Sequence, residues 1–345
     1  MVTASELPKG LVYIRDTQPG IYRKKQGRGF IYLDKDQHKL SDESQLQRIE
    51  NLVIPPAWKQ VWISPKKNSY LQATGVDEKG RKQYLYHPKW SEYSQKIKYD
   101  DLLKFGFYLP KLRERYQKDL RQKSWSKSKV LALATALLDE LYLRVGNKHY
   151  TDANNTHGLT TLRRKHLKED GNKLLVNYTA KSGKERSLSL TNKRLIRLLK
   201  DCSQLPGYEL FRYEQDQKWH TVDSSALNGY ISEKAPEDHY FTAKYFRTWG
   251  ANCMCIKHAA EVEELCQGTR KKPETTLISL VAKEMGHTVA VCKSSYLHPE
   301  ILLQCLSKNE IKNCLPEDFE EKGYKPEEHE LMKILCSKSI LSQPI

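Results

Sequence analysis

With 345 residues, 58 Lys and Arg against 42 Asp and Glu, and a formal charge of +16, the chain is long enough for two ordinary cores and points to a polyanionic partner: DNA, RNA or an anionic membrane surface. A 39% hydrophobic, 29% charged composition without an apolar run of about 18 residues excludes a helical membrane span. The eight cysteines all fall at Cys202 or later without Cys-x-x-Cys pairs, and neither a Gly-x-x-x-x-Gly-Lys-[Ser/Thr] loop nor His-Glu-x-x-His occurs, which argues against a zinc site, nucleotide hydrolysis and zinc hydrolysis.

The thiols are therefore expected to be reduced and mostly buried. The start, Met-Val-Thr-Ala-Ser-Glu-Leu-Pro, has no basic stretch followed by an apolar one, so no secretory signal is expected. A cytoplasmic, nuclear or packaged protein is the resulting expectation.

Residues 1–95 read as a β-rich domain. Short aromatic and β-branched runs at Gly29–Leu33, Val61–Ser64, Tyr70–Thr74 and Lys82–Tyr86 predict strands, and Asp77-Glu-Lys-Gly80 predicts the turn of a hairpin over 70–87. Period-2 alternation puts Lys82, Tyr84 and Tyr86 on one face and Gln83 on the other. That face suits a nucleic-acid groove or is simply solvated. Ile54-Pro-Pro-Ala-Trp58, after a helical segment from Ser44 to Leu52, predicts a chain reversal.

From about 96 the hydrophobic period becomes 3.6, so 96–345 is expected to be a mainly helical domain. A helix capped by Ser126 or Ser128 carries the stripe Val130, Leu133, Ala134, Leu137, Leu138 and Leu141 and is expected to end at Gly146, leaving Arg144 in its last turn. Strands at 174–179 and 185–190 flank Lys181-Ser-Gly-Lys184, a tight hairpin tip with Lys181 and Lys184 at its sides. Helices follow at 192–202, 242–267 and 273–285. Within the second, Arg247 lies between Phe246 and Trp249, so its guanidinium should be partly buried and need an anionic or multi-acceptor partner. Arg270-Lys-Lys272 reads as a solvated basic loop.

His287 stands nine positions before Tyr296 in the stretch 281–299. Alone, one of 20 tyrosines in an apolar helical setting would usually be packing. Together with Arg144, Lys181 and Arg247, the pair acquires a chemical meaning. Transfer of a phosphodiester to a protein hydroxyl needs a nucleophile, cations on the non-bridging oxygens and an acid for the leaving alkoxide.

Leu143-Arg-Val-Gly-Asn147 through Gly158-Leu-Thr-Thr-Leu-Arg163, Lys244 through Gly250, Gly286-His287 and Ser295-Tyr296-Leu-His-Pro299 make the chain resemble the type IB DNA topoisomerases, specifically their small poxvirus and bacterial branch. Leu71-Gln-Ala-Thr-Gly75, Gly80-Arg-Lys-Gln-Tyr-Leu-Tyr-His-Pro88 and the Ile54–Trp58 segment carry the resemblance into the first domain.

The resemblance implies an α+β fold in which a small β-rich N-terminal domain and a larger α-helical catalytic domain form a C-shaped clamp on duplex DNA. It implies ATP- and metal-independent relaxation through a 3′-phosphotyrosyl intermediate, with no cofactor, no membrane partner and monomeric action in a bacterial nucleoid or, for a virus, the virion or viral factory. On this reading Tyr296 is the nucleophile, Arg144 and Arg247 hold the scissile phosphate, and His287 donates to a non-bridging oxygen. Lys181, in preference to Lys184, protonates the 5′-oxygen. A lysine with its ordinary value of about 10.4 suits that task only if nearby positive charge lowers it, which Arg144 could provide. Gln83, Tyr84, Tyr86 and Lys184 are expected at the DNA groove, with Arg81 and Lys82 on phosphates. The segment Trp249-Gly-Ala-Asn-Cys253 departs from the usual pattern without touching a catalytic group, and the tail beyond about 310 is given no role. The rival readings are a tyrosine recombinase, disfavoured by Lys244 where those enzymes typically carry His, and a DNA-binding protein without chemistry.

Overall fold

A computed structural model describes residues 7–341 except 79, 149–150, 152–153, 238, 308–314 and 317–318, with backbone only at 182 and 338–341. Lys79 of the expected first turn and Cys314 lie outside the described residues. The chain divides into two units, Met1–Lys98 and Tyr99–Ile345.

The first unit is built on a five-stranded antiparallel sheet of order β2-β1-β3-β4-β5, with β1 at Ile21–Gln26, β2 at Gly29–Leu33, β3 at Lys59–Ile63, β4 at Leu71–Val76 and β5 at Lys82–Tyr86. The helix α1 (Glu43–Asn51) starts where the Asp42 carboxylate accepts the amides of Ser44 and Gln45, and it adds Ile49 to a core of Ile21, Val61, Ile63 and Ala73. The sequence gives no sign of β1, because Ile-Tyr-Arg-Lys-Lys-Gln buries only its first residue and alternates weakly. Arg23 explains its place: the guanidinium donates to the carbonyls of Ile54 (3.1 Å), Pro55 (2.9 Å) and Trp58 (2.7 Å) and so ties the Ile54–Trp58 reversal to the strand.

The division between units falls within α2 (Pro88–Asp119). The second unit continues with α3 (Lys127–Leu141), the antiparallel sheet β6 (Leu167–Asp170), β7 (Lys173–Ala180) and β8 (Lys184–Leu190), then α4 (Lys193–Ser203). The hairpin β9 (Arg212–Gln215) and β10 (Lys218–Thr221) and the helix α5 (Ser224–Ser232) were not signalled by the sequence. The helices α6 (Ala243–Cys266), α7 (Pro273–Met285), α8 (Val289–Ser295), α9 (Pro299–Ser307) and α10 (Pro326–Leu341) complete it. The mixed α+β class is the expected one.

Two details of α3 correct the sequence reading. Its residues 129–139 are buried without exception, so it is the central rod of this unit and not a one-sided amphipathic helix. It also stops at Leu141, because Tyr142 takes a left-handed backbone conformation (φ 49°). Arg144 therefore lies beyond the helix, in the irregular segment that follows. Around α3 pack Phe105, Leu109, Phe211, Phe241, Phe246 and Trp249, all essentially inaccessible to solvent.

The tail has a structural role after all. Glu328 on α10, with 0% exposure, accepts both Arg113 Nη1 and Nη2 at 2.7 Å, Trp249 Nε1 at 3.0 Å and the Lys325 amide at 2.8 Å. Asp139 of α3 takes the other edge of the same guanidinium at 2.8 Å on each oxygen. One partly buried arginine thus ties α2, α3 and α10 together, next to the helix that carries Arg247.

Candidate active site

Arg144 is fixed by backbone. Leu159 and Thr160 donate their amides to the carbonyls of Arg144 and Val145 at 2.7 Å each. This close pairing depends on two glycines. A Cβ on Gly158 would sit 2.5 Å from the Gly146 nitrogen, and Gly146 itself has φ +90°. The two stretches Leu143–Asn147 and Gly158–Arg163 are therefore one structural element, and the arginine leaves it at a defined point.

Arg247 projects from α6, and only 5% of it is exposed. Its Nη1 donates to the carbonyl of Tyr142, the residue whose left-handed turn ends α3, and its Nη2 donates to the carbonyl of Met285 at 2.9 Å. The same Nη2 also contacts His287 Nε2. The expectation of a buried guanidinium with several acceptors is thus met by carbonyls and an imidazole. Burial, followed by the neighbouring charge of Arg144, lowers its proton affinity from the ordinary guanidinium value.

His287 follows the end of α7. Gly286 closes that helix at φ +65°, and the His287 amide reaches back to the Ala282 carbonyl at 2.8 Å. The ring stacks on Tyr296, with centroids 3.9 Å apart and planes inclined by 24°. Burial first, then the charges of Arg247, Arg144, Arg186 and Lys184, push His287 down to about 3. The imidazole is accordingly neutral near pH 7. With Arg247 donating into Nε2, its proton sits on Nδ1, which is buried and meets no hydrogen-bond partner among the described residues.

Tyr296 is half-buried at the C-terminal end of α8, with the Arg247 guanidinium carbon 5.6 Å from its ring centroid. Asn252, one turn beyond Arg247 on α6 and fully buried, donates to the Tyr296 carbonyl at 3.0 Å and accepts the His298 amide at 2.9 Å. The expectation that the 249–253 segment touches none of the candidate catalytic residues is therefore wrong for Asn252, which bonds to the backbone of Tyr296. A single Asn inside a helix gives no sign in sequence of reaching a residue more than forty positions away. Tyr99 adds a second hold on the same segment, donating to the Leu297 carbonyl at 2.5 Å and packing on His298.

Arg144 joins this cluster through its Nη2, which donates to the Gly286 carbonyl at 3.3 Å. Arg144, Arg247, His287 and Tyr296, drawn from four separate segments, thus meet around the end of α7. The hairpin β7–β8 carries the two lysines: Lys181 opens the short turn Lys181–Gly183, Lys184 opens β8, and both are exposed. Lys184 is one of the charges that act on His287. Sequence reasoning missed Arg186, two residues further along β8, whose guanidinium grips the carbonyls of Lys283 and Glu284.

In the first unit, β5 shows the expected alternation. Tyr84 and Tyr86 are exposed, with parallel rings 6.1 Å apart, and Lys82 Nζ lies 5.6 Å over the Tyr84 ring. The basic side chains are already paired. Lys82 meets Asp16 at 2.5 Å, which raises its proton affinity, and Arg81 meets Asp77 at 2.7 Å. Gln83, on the opposite face, donates to the same Asp77 at 2.8 Å.

Comparison with known proteins finds similarities over most of the chain. A family model of the eukaryotic DNA topoisomerase I catalytic core matches residues 87–316, and one of the bacterial DNA topoisomerase IB N-terminal domain matches residues 29–77. The chain is 34% identical to DNA topoisomerase 1B of Acanthamoeba polyphaga mimivirus over 289 residues, covering 81% of this chain and 85% of that protein. It is 24% identical to DNA topoisomerase 1B of vaccinia virus (strain Copenhagen) over 255 residues, covering 72% and 76% of the two chains. Among solved structures, the XerH site-specific recombinase bound to palindromic difH aligns over 58% of this chain and 50% of its own, at 16% identity and a TM-score of 0.37.

Proposed function

The chain belongs to the type IB DNA topoisomerase family, and from that premise we propose how its residues break and rejoin one strand of duplex DNA. The hydroxyl of Tyr296 attacks the scissile phosphorus, forming a 3′-phosphotyrosyl bond and releasing the 5′-oxygen of the neighbouring nucleotide. The cut strand rotates about the intact one. The 5′-hydroxyl then attacks the phosphotyrosine and restores both the DNA and the free tyrosine. Each step exchanges one phosphate ester for another, so the cycle draws on neither ATP nor a metal ion.

Arg144 and Arg247 serve as the clamp on the non-bridging oxygens, where planar guanidinium donors match the charge that develops as phosphorus becomes five-coordinate. His287 adds a neutral N–H to the same oxygens. Its depressed basicity is why it is not the acid: near neutral pH it carries no imidazolium proton, and the one N–H of the neutral ring is too weak an acid to be given up. That task falls to Lys181 at the hairpin tip, with Arg144 helping to relay the proton. Lys184 contributes positive charge beside it and contacts DNA.

The β-rich N-terminal domain and the helical catalytic domain both engage the duplex. In the first of these, Tyr84, Tyr86 and Gln83 meet the groove while Arg81 and Lys82 approach phosphates. One chain carries every group that the two transesterifications use, so it acts as a monomer wherever its DNA lies: a bacterial nucleoid, or a virion or viral factory. No described helix is long and apolar enough to cross a membrane.

The unbroken run of contacts from Arg247 to His287 to Tyr296, with Arg144 on the adjoining carbonyl, is what supports this reading most. The test is relaxation of a supercoiled plasmid by the purified protein in EDTA without ATP. Wild type should relax it and Tyr296→Phe should not; relaxation by the Phe variant would remove Tyr296 as nucleophile.

A further inference from the structure

Three guanidinium groups converge on the C-terminal end of α7, and only two have a part in the chemistry above. Arg247 holds the Met285 carbonyl at 2.9 Å and Arg144 holds the Gly286 carbonyl at 3.3 Å. The third is Arg186 on β8, opposite Tyr178 in the strand register. Its Nη1 donates to the Lys283 carbonyl at 3.2 Å and its Nη2 to the Glu284 carbonyl at 2.5 Å. Carbonyls at a helix end have no partner within the helix, and the negative end of the helix dipole favours cations there.

The fit is steric as well. A Cβ on Gly286 would lie 2.8 Å from Arg186 Nη1 and 2.9 Å from its Cζ, so the guanidinium plane packs directly on the glycine that turns the chain into His287. We infer that Arg186 is a positioning residue for His287: by gripping two carbonyls of the last turn of α7, it holds the turn from which the imidazole reaches the scissile phosphate. This inference rests on His287 acting at that phosphate.

Binding of DNA sets the contacts of Arg144 and Arg247 in competition with the phosphate. A phosphate draws Arg144 and Arg247 toward its oxygens, in competition with the carbonyls of Met285 and Gly286. Arg186 donates to carbonyls one and two positions earlier and stands on a strand, so its grip does not compete with the phosphate. It keeps the helix end in place while the other two arginines change partners, which preserves the preorganised donor geometry on which transition-state stabilisation depends. Arg186 also connects the strand that follows the Lys181–Lys184 turn to the helix that presents His287.

The test is a double-mutant cycle read by single-turnover cleavage of a DNA duplex that traps the covalent product. Arg186→Ala should slow cleavage by about tenfold or more in the wild-type background while DNA affinity stays within about twofold. In a His287→Ala background the same change should alter the rate by less than about twofold, because there is no imidazole left to position. Arg186→Lys keeps the charge but loses the two-pronged grip, and should fall between Ala and Arg with the same dependence on His287. Equal factors in both backgrounds, or full-rate cleavage by Arg186→Ala, would overturn the inference. If Arg186→Ala does not fold, the Lys cycle decides in the same terms. Wild-type cleavage by His287→Ala would instead refute the role given to His287, which separates the two failures.

Discussion

His287 shows how much of this site is set by desolvation. The imidazole is 7% exposed beside Arg247 and within the field of Arg144, Arg186 and Lys184, and its value falls to about 3. An unfolded chain would take up that proton near the ordinary value of about 6.5. The unfolded state therefore binds more protons between those limits, so the contribution of His287 to stability is present above about pH 6.5 and is lost as pH falls toward 3. His287→Gln should flatten the rise of stability with pH in that window by up to about one proton, or roughly 1.4 kcal/mol per pH unit, in denaturant titrations. A residual slope will remain from His166, which burial pushes down to about 4. An unchanged slope would contradict the assignment. The residue types at this site were legible in the sequence because each belongs to a local motif. Their partners were not: that Arg247 rests on carbonyls 105 and 38 positions away, and Asn252 on one 44 positions away, is decided by packing between helices.

At the scale of elements, the β4–β5 hairpin and α10 illustrate opposite cases. The hairpin was readable because alternation and a turn glycine are short-range signals, and its exposed Tyr84 and Tyr86 lie where the pattern puts them. What the pattern left out is that Asp16 and Asp77 already pair with Lys82 and Arg81. Tyr84→Ala should therefore weaken DNA binding without changing its salt dependence. Lys82→Ala should lower the slope of log affinity against log salt by less than the value of about 0.9 expected for a free phosphate contact. Binding isotherms at several salt concentrations check both, and a full loss from Lys82→Ala would show that Asp16 lets go in the complex. The helix α10 was opaque because its anchor is one buried carboxylate whose partners come from α2 and α6. Glu328→Ala leaves Arg113 with one of its two carboxylates and should cost about 3–5 kcal/mol in denaturant unfolding. A cost below about 1 kcal/mol, the level of an exposed pair, would mean that the tail is not part of the scaffold.

At the scale of the whole molecule, the formal charge of +16 fits a protein whose partner is DNA, and the arrangement of the proposed catalytic groups fits an enzyme that stores the energy of a broken strand in a bond to itself. The fold assembles that site from chain segments that are far apart in sequence, with α3 as the buried rod behind it and the end of α7 as the point where the arginines meet. Order along the chain was visible as a series of motifs, whereas their convergence on one helix end was not, because it depends on a left-handed turn at Tyr142 that no local signal marks. The proposed reaction depends on a covalent bond at Tyr296. The measurement is a denaturant quench of the protein on duplex DNA, followed by mapping of the attached strand. Wild type should remain on a 3′-phosphoryl end and leave a 5′-hydroxyl that a kinase can phosphorylate, while Tyr296→Phe leaves no adduct. Attachment to a 5′ end, or an adduct that survives in Tyr296→Phe, would contradict it.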